Sequence, residues 1–155
     1  MTGAVVCSRA VAARSAIVTG GGTAVGAAIA RRLSADGYAV TVMGRRAEPL
    51  DEVVQELSEG LALTGDVGRP EDCEHVVAAA VEAFGGVDAL VNNAGIGNGG
   101  KALEERPEQW DNVLRVNLSG AFYMARAAAP SSTSRPPAAG SRAPAGRRSV
   151  RRRRV

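Results

Sequence analysis

Residues 15–33 read SAIVTGGGTAVGAAIARRL. The first six are a short β-branched run ending in glycine, the pattern of a buried strand and its turn. Val25, Ile29 and Leu33 then recur at i, i+4 and i+8. That spacing is one face of a helix, and Gly37 is its stop signal. Between strand and helix, Gly20, Gly21 and Gly22 let the backbone approach an anion closely. The helix that follows presents unpaired N–H groups and the positive end of its dipole. A diphosphate is the natural guest, although such a turn can also do no more than close a βαβ unit. A P-loop is excluded because no Gly-Lys-Ser/Thr follows, and G-x-G-x-x-G is missed because its third glycine falls on Val25.

The same alternation continues outward. YAVTVM (38–43) reads as a second strand, and Leu50, Val53, Val54 and Leu57 mark a second helix. LALTGD (61–66) is a third strand. Pro70 opens a third helix at its first position, with Glu71 and Asp72 at the positive end of its dipole. Its buried stripe is expected to be Cys73, Val76, Val77, Ala80 and Phe84. VDALV (87–91) is a fourth strand, a glycine-rich loop follows, and Pro107 opens a last helix to about Ala129. Strands alternating with helices imply right-handed crossovers and a parallel sheet covered on both faces. The expected class is therefore α/β: a Rossmann-type doubly wound sheet of about four strands over residues 15–129. Ligands of such sheets bind beyond the carboxyl ends of the strands.

The glycine turn fits T-G-x-x-x-G-x-G, with Thr19, Gly20 and Gly26 in place and Ala24 at the middle glycine. Here the chain resembles the N-terminal part of the short-chain dehydrogenase/reductase family. The resemblance implies a nicotinamide dinucleotide bound at Gly20, Gly22, Thr23, Ala24, Val25 and Gly26, with Ala24 tolerated at the cost of some crowding near the phosphates. Relatives that bind NAD place an acidic residue at the end of the second strand, on the ribose 2′-hydroxyl. In VMGRRAEPL (42–50), Gly44 holds that position and Arg45 and Arg46 follow. A guanidinium suits a 2′-phosphate, which favours NADP(H) over NAD(H) with Arg45 as the contact. Two solvated arginines at the start of a helix are the plainer alternative.

Two further matches carry the resemblance. GDV (65–67) is similar to the family's Asp-Val step, which implies that Asp66 and Val67 meet the adenine, although Asp66 also suits a surface turn. VNNAGIG (91–97) matches the family's N-N-A-G motif, which ties the central strands together and borders the nicotinamide ribose through Asn93, Ala94 and Gly95. Trp110, Leu114, Ala121 and Met124 are expected to mark the buried face of the last helix, and Asn117 falls on the same stripe. A buried amide must be hydrogen-bonded. Asn117 then either bonds neighbouring backbone or, as the resemblance implies, is a catalytic residue that holds a water of the proton relay; both roles are compatible. His75 and Lys101 are expected at the surface.

The remaining catalytic set is missing from these residues. The resemblance implies a Ser on a fifth strand and a Tyr-x-x-x-Lys pair, in which the Tyr is the general acid/base and the Lys lowers its pKa. The two tyrosines are Tyr38 and Tyr123; Val42 and Ala127 stand where a Lys would be needed, and no lysine follows Lys101. The family's reaction is hydride transfer between the cofactor and an alcohol or carbonyl substrate. This chain is expected to be a catalytically incomplete, cofactor-binding part of such an enzyme, and assembly into the family's homo-oligomers is doubtful.

Charge sets the C-terminal segment apart. Residues 1–130 hold 11 Lys and Arg against 16 Asp and Glu, whereas residues 131–155 hold eight Arg and no acid. In that segment 17 of 25 residues are Arg, Pro, Ala or Gly, a composition that stays disordered. An out-of-frame reading of a GC-rich gene after about residue 130 would produce it. A genuine basic tail, touching nucleic-acid or membrane phosphates without sequence readout, is the alternative, with nucleic acid not the expected partner. Cys7 and Cys73 lack metal or redox spacing, so no metal site and a reduced, cytoplasmic setting are expected. No apolar run approaches the ~18 residues of a membrane span. Arg9 and Arg14 spoil residues 1–14 as a secretory signal, leaving a short, poorly ordered leader or a misplaced start codon.

Overall fold

The computed structural model describes residues 14–129, apart from 98 and 102. The expected leader and basic tail lie outside the described residues. Four strands, β1 (Arg14–Thr19), β2 (Tyr38–Gly44), β3 (Gly60–Thr64) and β4 (Ala89–Val91), form one parallel sheet in the order β3-β2-β1-β4. Between them run α1 (Ala24–Ala35), α2 (Ala47–Gln55) and α3 (Pro70–Phe84). After β4 come α4 (Pro107–Leu114), a π turn (Arg115–Ser119) and α5 (Gly120–Ala128), with no break in helical backbone. The expected α/β class and strand count are observed. Strand β1 includes Arg14, one residue before the expected start; it pairs in register with Tyr38, and its guanidinium sits 4.3 Å above that ring.

Side chains alternate across the pleated strands, so successive residues feed opposite cores. Ile17 and Met43 join Cys73, Val76, Val77, Ala80, Val116, Met124 and Ala128 under α3 and α5. Val18, Val40 and Val42 join Ala27, Ala30, Leu50 and Val53 under α1 and α2. The continuous apolar reading of β1 and β2 follows from burial on both faces.

Two helix faces differ from expectation. In α1 the buried residues are Gly26, Ala27, Ala30 and Ser34, whereas Ile29 and Leu33 are half-buried and Val25 is 65% exposed. The helix presents its smallest residues to the sheet because its N-terminus is drawn hard against the β1 turn. A Cβ on Gly26 would lie 2.1 Å from the Gly20 carbonyl oxygen and 2.6 Å from Asn93 Nδ2. The second difference is in the last helix. Met124 is buried, but Trp110 and Leu114 are exposed and Ala121 is half-buried. The π turn changes the helical phase between the two halves, so one 3.6-residue stripe cannot describe both.

Candidate functional site

The carboxyl ends of all four strands open into a cleft of about 480 Å³. Gly20, Gly22 and Thr23 form its middle, at the β1–α1 turn. Gly44, Arg45, Arg46, Gly65, Asp66 and Val67 line the end under β2 and β3. Ala94, Gly95, Ile96 and Val116 line the end under β4 and the π turn. The cleft is thus elongated across the sheet, floored by backbone and small residues, and has the N-terminus of α1 at its centre.

The floor is held by a short network. Thr19 Oγ1 accepts from the backbone N–H groups of Asn93 and Ala94, both at 3.0 Å, and donates to the Val91 carbonyl at 3.3 Å. Asn93 Nδ2 donates to the carbonyls of Thr19 at 3.0 Å and Gly20 at 3.3 Å. Asn93 therefore ties β1 to β4 and does not line the cleft. Gly20 takes φ +65° beside this amide, a backbone region that glycine enters without a Cβ penalty. Gly26 lies behind the wall and sets the approach of α1. Ala24 and Val25 are exposed and outside the lining as well. Ala24 has φ +44°, the left-handed region, where an L side chain is strained. The residue is exposed, so the strain at this position lies in the backbone.

At the β3 end, Asp66 sits in a tight turn. Its N–H donates to Asp72 Oδ2 at 2.8 Å, and its Oδ1 accepts from the Gly68 N–H at 2.8 Å. Its Oδ2 lies 3.4 Å from Arg115 Nη1. Cys73 packs below, its thiol 3.4 Å from the Val67 carbonyl. Burial, with help from Asp72, Asp66 and Glu71, pushes that thiol up to about 11. It is a protonated donor at neutral pH and an inert one.

Asn117 is exposed, contrary to its expected place on a buried stripe. Both ends of its amide are nonetheless bonded. Its Oδ1 accepts from the Ile96 N–H and its Nδ2 donates to the Ile96 carbonyl, both at 2.8 Å. This two-way clamp fixes the loop after β4, and a Cβ on Gly95 would lie 3.4 Å from Asn117 Oδ1. Val116 and Arg115, beside Asn117, were not singled out by the sequence. The sequence signals for Val116 were its adjacency to Asn117 and its four-residue spacing from Gly120, Met124 and Ala128; for Arg115 there was none.

The comparisons with known proteins follow this geometry. Residues 14–138 match the short chain dehydrogenase family. The chain belongs to that family. Over 120 residues it is 42% identical to dehydrogenase/reductase SDR family member 4 of Sus scrofa, covering 74% of this chain and 43% of that protein. Among solved structures, a variant of actinorhodin polyketide ketoreductase with NADPH superposes with a TM-score of 0.74 at 38% identity, covering 77% of this chain and 48% of the other. A 3-ketoacyl-(acyl-carrier-protein) reductase from Brucella melitensis complexed with NADH gives 0.73 at 33% identity, covering 76% of this short-chain dehydrogenase and 50% of its neighbour. The chain therefore spans about half the length of these relatives. Among the described residues no helix is long and apolar enough to cross a membrane.

Proposed function

We propose that this short-chain dehydrogenase chain binds NADP(H) along the cleft and that residues 1–155 alone do not turn a substrate over. The diphosphate lies at Gly20–Thr23, where backbone N–H groups and the α1 dipole favour an anion. The adenosine half lies toward Arg45 and Asp66, and the nicotinamide half toward Ala94–Ile96 and Asn117. The residues fit such a guest: the floor is glycine, and the elongated cleft falls within the range of ligand sites. Relatives solved with NADPH and with NADH support a nicotinamide dinucleotide in general.

The single observation that carries the phosphate preference is the wall at the end of β2. It holds Gly44, Arg45 and Arg46, and the carboxylate lining that end of the cleft, Asp66, follows β3 instead. Titrating the 155-residue chain with NADPH and NADH tests it. Charge-assisted bonds to one phosphate should favour NADPH by about ten-fold or more. Arg45→Ala should remove most of that preference while leaving NADH affinity unchanged. Equal affinity for both cofactors in the parent chain refutes the assignment.

The second half of the proposal rests on the proton. Hydride transfer to a carbonyl needs an acid at its oxygen. Neither tyrosine lines the cleft: Tyr38 opens β2 at the opposite end of the sheet, and Tyr123 packs from α5 against the α3-side core. Asn117 has both side-chain atoms on Ile96 and supplies no titratable group. The substrate of the family's reaction, an alcohol or carbonyl compound, is left without its acid–base partner. Carbonyl-dependent oxidation of NADPH by residues 1–155, at a rate proportional to protein, would overturn this.

A further inference from the structure

Arg115 is the first residue of the π turn, and its side chain reaches Asp66 at the β3 end of the cleft. Its Nη2 donates to Asn112 Oδ1 at 2.8 Å, which aims the guanidinium along the helix. Its Nη1 then stands 3.4 Å from Asp66 Oδ2 and directly over Gly68. A Cβ at Gly68 would lie only 1.9 Å from that Nη1, so the buried glycine is the space the guanidinium occupies. The other Asp66 oxygen is already held by the Gly68 N–H. One arginine therefore closes the turn 66–69, whose Asp66 and Val67 form the cleft wall, onto the helix whose Val116 lines the other end.

We propose that Arg115 is a positioning residue for the adenosine end of the cleft, acting through Asp66. This rests on the cofactor reading above. Without Arg115, the Asp66 carboxylate loses its second partner and the wall loses its polar tie to the helix, leaving the packing of Val67 against Gly120. The bound ligand itself is not Arg115's partner.

The test uses the 155-residue chain and three probes: NADPH, adenosine 2′,5′-bisphosphate and reduced nicotinamide mononucleotide. Arg115→Met keeps the apolar stem and removes the charge. It should weaken NADPH and the bisphosphate by about five-fold each, the upper range for a half-exposed ion pair, and leave the mononucleotide unchanged. Arg115→Lys should recover most of the loss. Gly68→Ala, which retains the cation but fills its seat, should reproduce Arg115→Met. In an Asp66→Asn background, Arg115→Met should have no further effect. A loss that persists in that background means direct contact with the ligand and overturns the assignment. So does an equal loss for the mononucleotide, or no loss at all. If the parent chain binds none of the three probes, the cofactor reading itself falls, and this assignment with it.

Discussion

Ala24 opens α1 at φ +44°, in the seat where the family's spacing has glycine. An L-residue in this region pays roughly 1–2 kcal/mol through the contact of its Cβ with the following carbonyl. Glycine escapes that cost but loses more freedom on folding, about 0.5–1 kcal/mol. The Ala24 side chain is exposed, so removing its methyl forfeits no buried contact. Ala24→Gly should therefore stabilise the domain by about 0.5–1 kcal/mol, raising its Tm by about 2–6 °C for a domain of this size. Thermal and urea unfolding followed by far-UV circular dichroism measure this directly. Ala24→Val is the control, because a β-branched side chain at positive φ should cost at least about 1 kcal/mol. If Gly lowers the Tm, helix propensity outweighs backbone strain at this site and the reasoning is wrong. The same conclusion follows if Gly and Val shift the Tm in one direction.

Three other outcomes are expected. Gly26→Ala should lose about 2–3 kcal/mol in urea unfolding despite alanine's better helix propensity, because its Cβ would lie 2.1 Å from the Gly20 carbonyl oxygen and 2.6 Å from Asn93 Nδ2. Thr41 in β2 is fully buried and its hydroxyl has no partner among the described residues, so Thr41→Val should stabilise by about 1 kcal/mol; a loss would reveal a hidden bond. Cys73 gives a pH dependence: its folded pKa is raised to about 11 from 9.0, so the unfolded chain releases the thiol proton first. Its contribution is complete below pH 9.0 and is lost as pH climbs toward about 11. Unfolding midpoints of the parent and of Cys73→Ala, measured across that window, should show a shallower decline in the variant.

The sheet was readable because burial on both faces writes strands as unbroken apolar runs. Val40 and Val42 face one core and Met43 the other, yet all three count as apolar in the same window. Much of the cleft was readable for a different reason. Gly20, Gly22, Thr23, Arg45, Asp66, Val67, Ala94 and Gly95 all sit just past strand ends, where any open parallel sheet presents its ligand surface. Asn93 and Gly26 were found for the right pattern with another consequence: they fix β1, β4 and α1 to one another, and both meet at Gly20. What escaped was the contribution of residues distant in sequence. Nothing local to Arg115 announces that its partner is Asp66, 49 positions away, or that its guanidinium lies against Gly68.

The last helix shows how a period misleads and what would have corrected it. A 3.6-residue stripe through Trp110, Leu114, Ala121 and Met124 puts Asn117 inside, but the buried residues are Val116, Gly120, Met124 and Ala128, four apart throughout. In a regular α-helix such a row drifts by about 40° at each step and would leave the core within three steps. The π turn spans only Arg115–Ser119 and shifts the helical phase once, bringing Val116 onto the face that Gly120, Met124 and Ala128 of α5 turn inward. The exposed row Trp110, Leu114, Leu118 and Phe122 has the same four-residue spacing. Gly120 sharpens the point, since a Cβ there would lie 2.7 Å from Val67 Cγ2. The π turn thus lets the helix touch the β3–α3 turn at Gly120 and Arg115 and still deliver Asn117 to Ile96. The four-residue spacing of Val116, Gly120, Met124 and Ala128, with glycine at the closest approach, is the alternative to the 3.6-residue stripe that residues 116–128 offered.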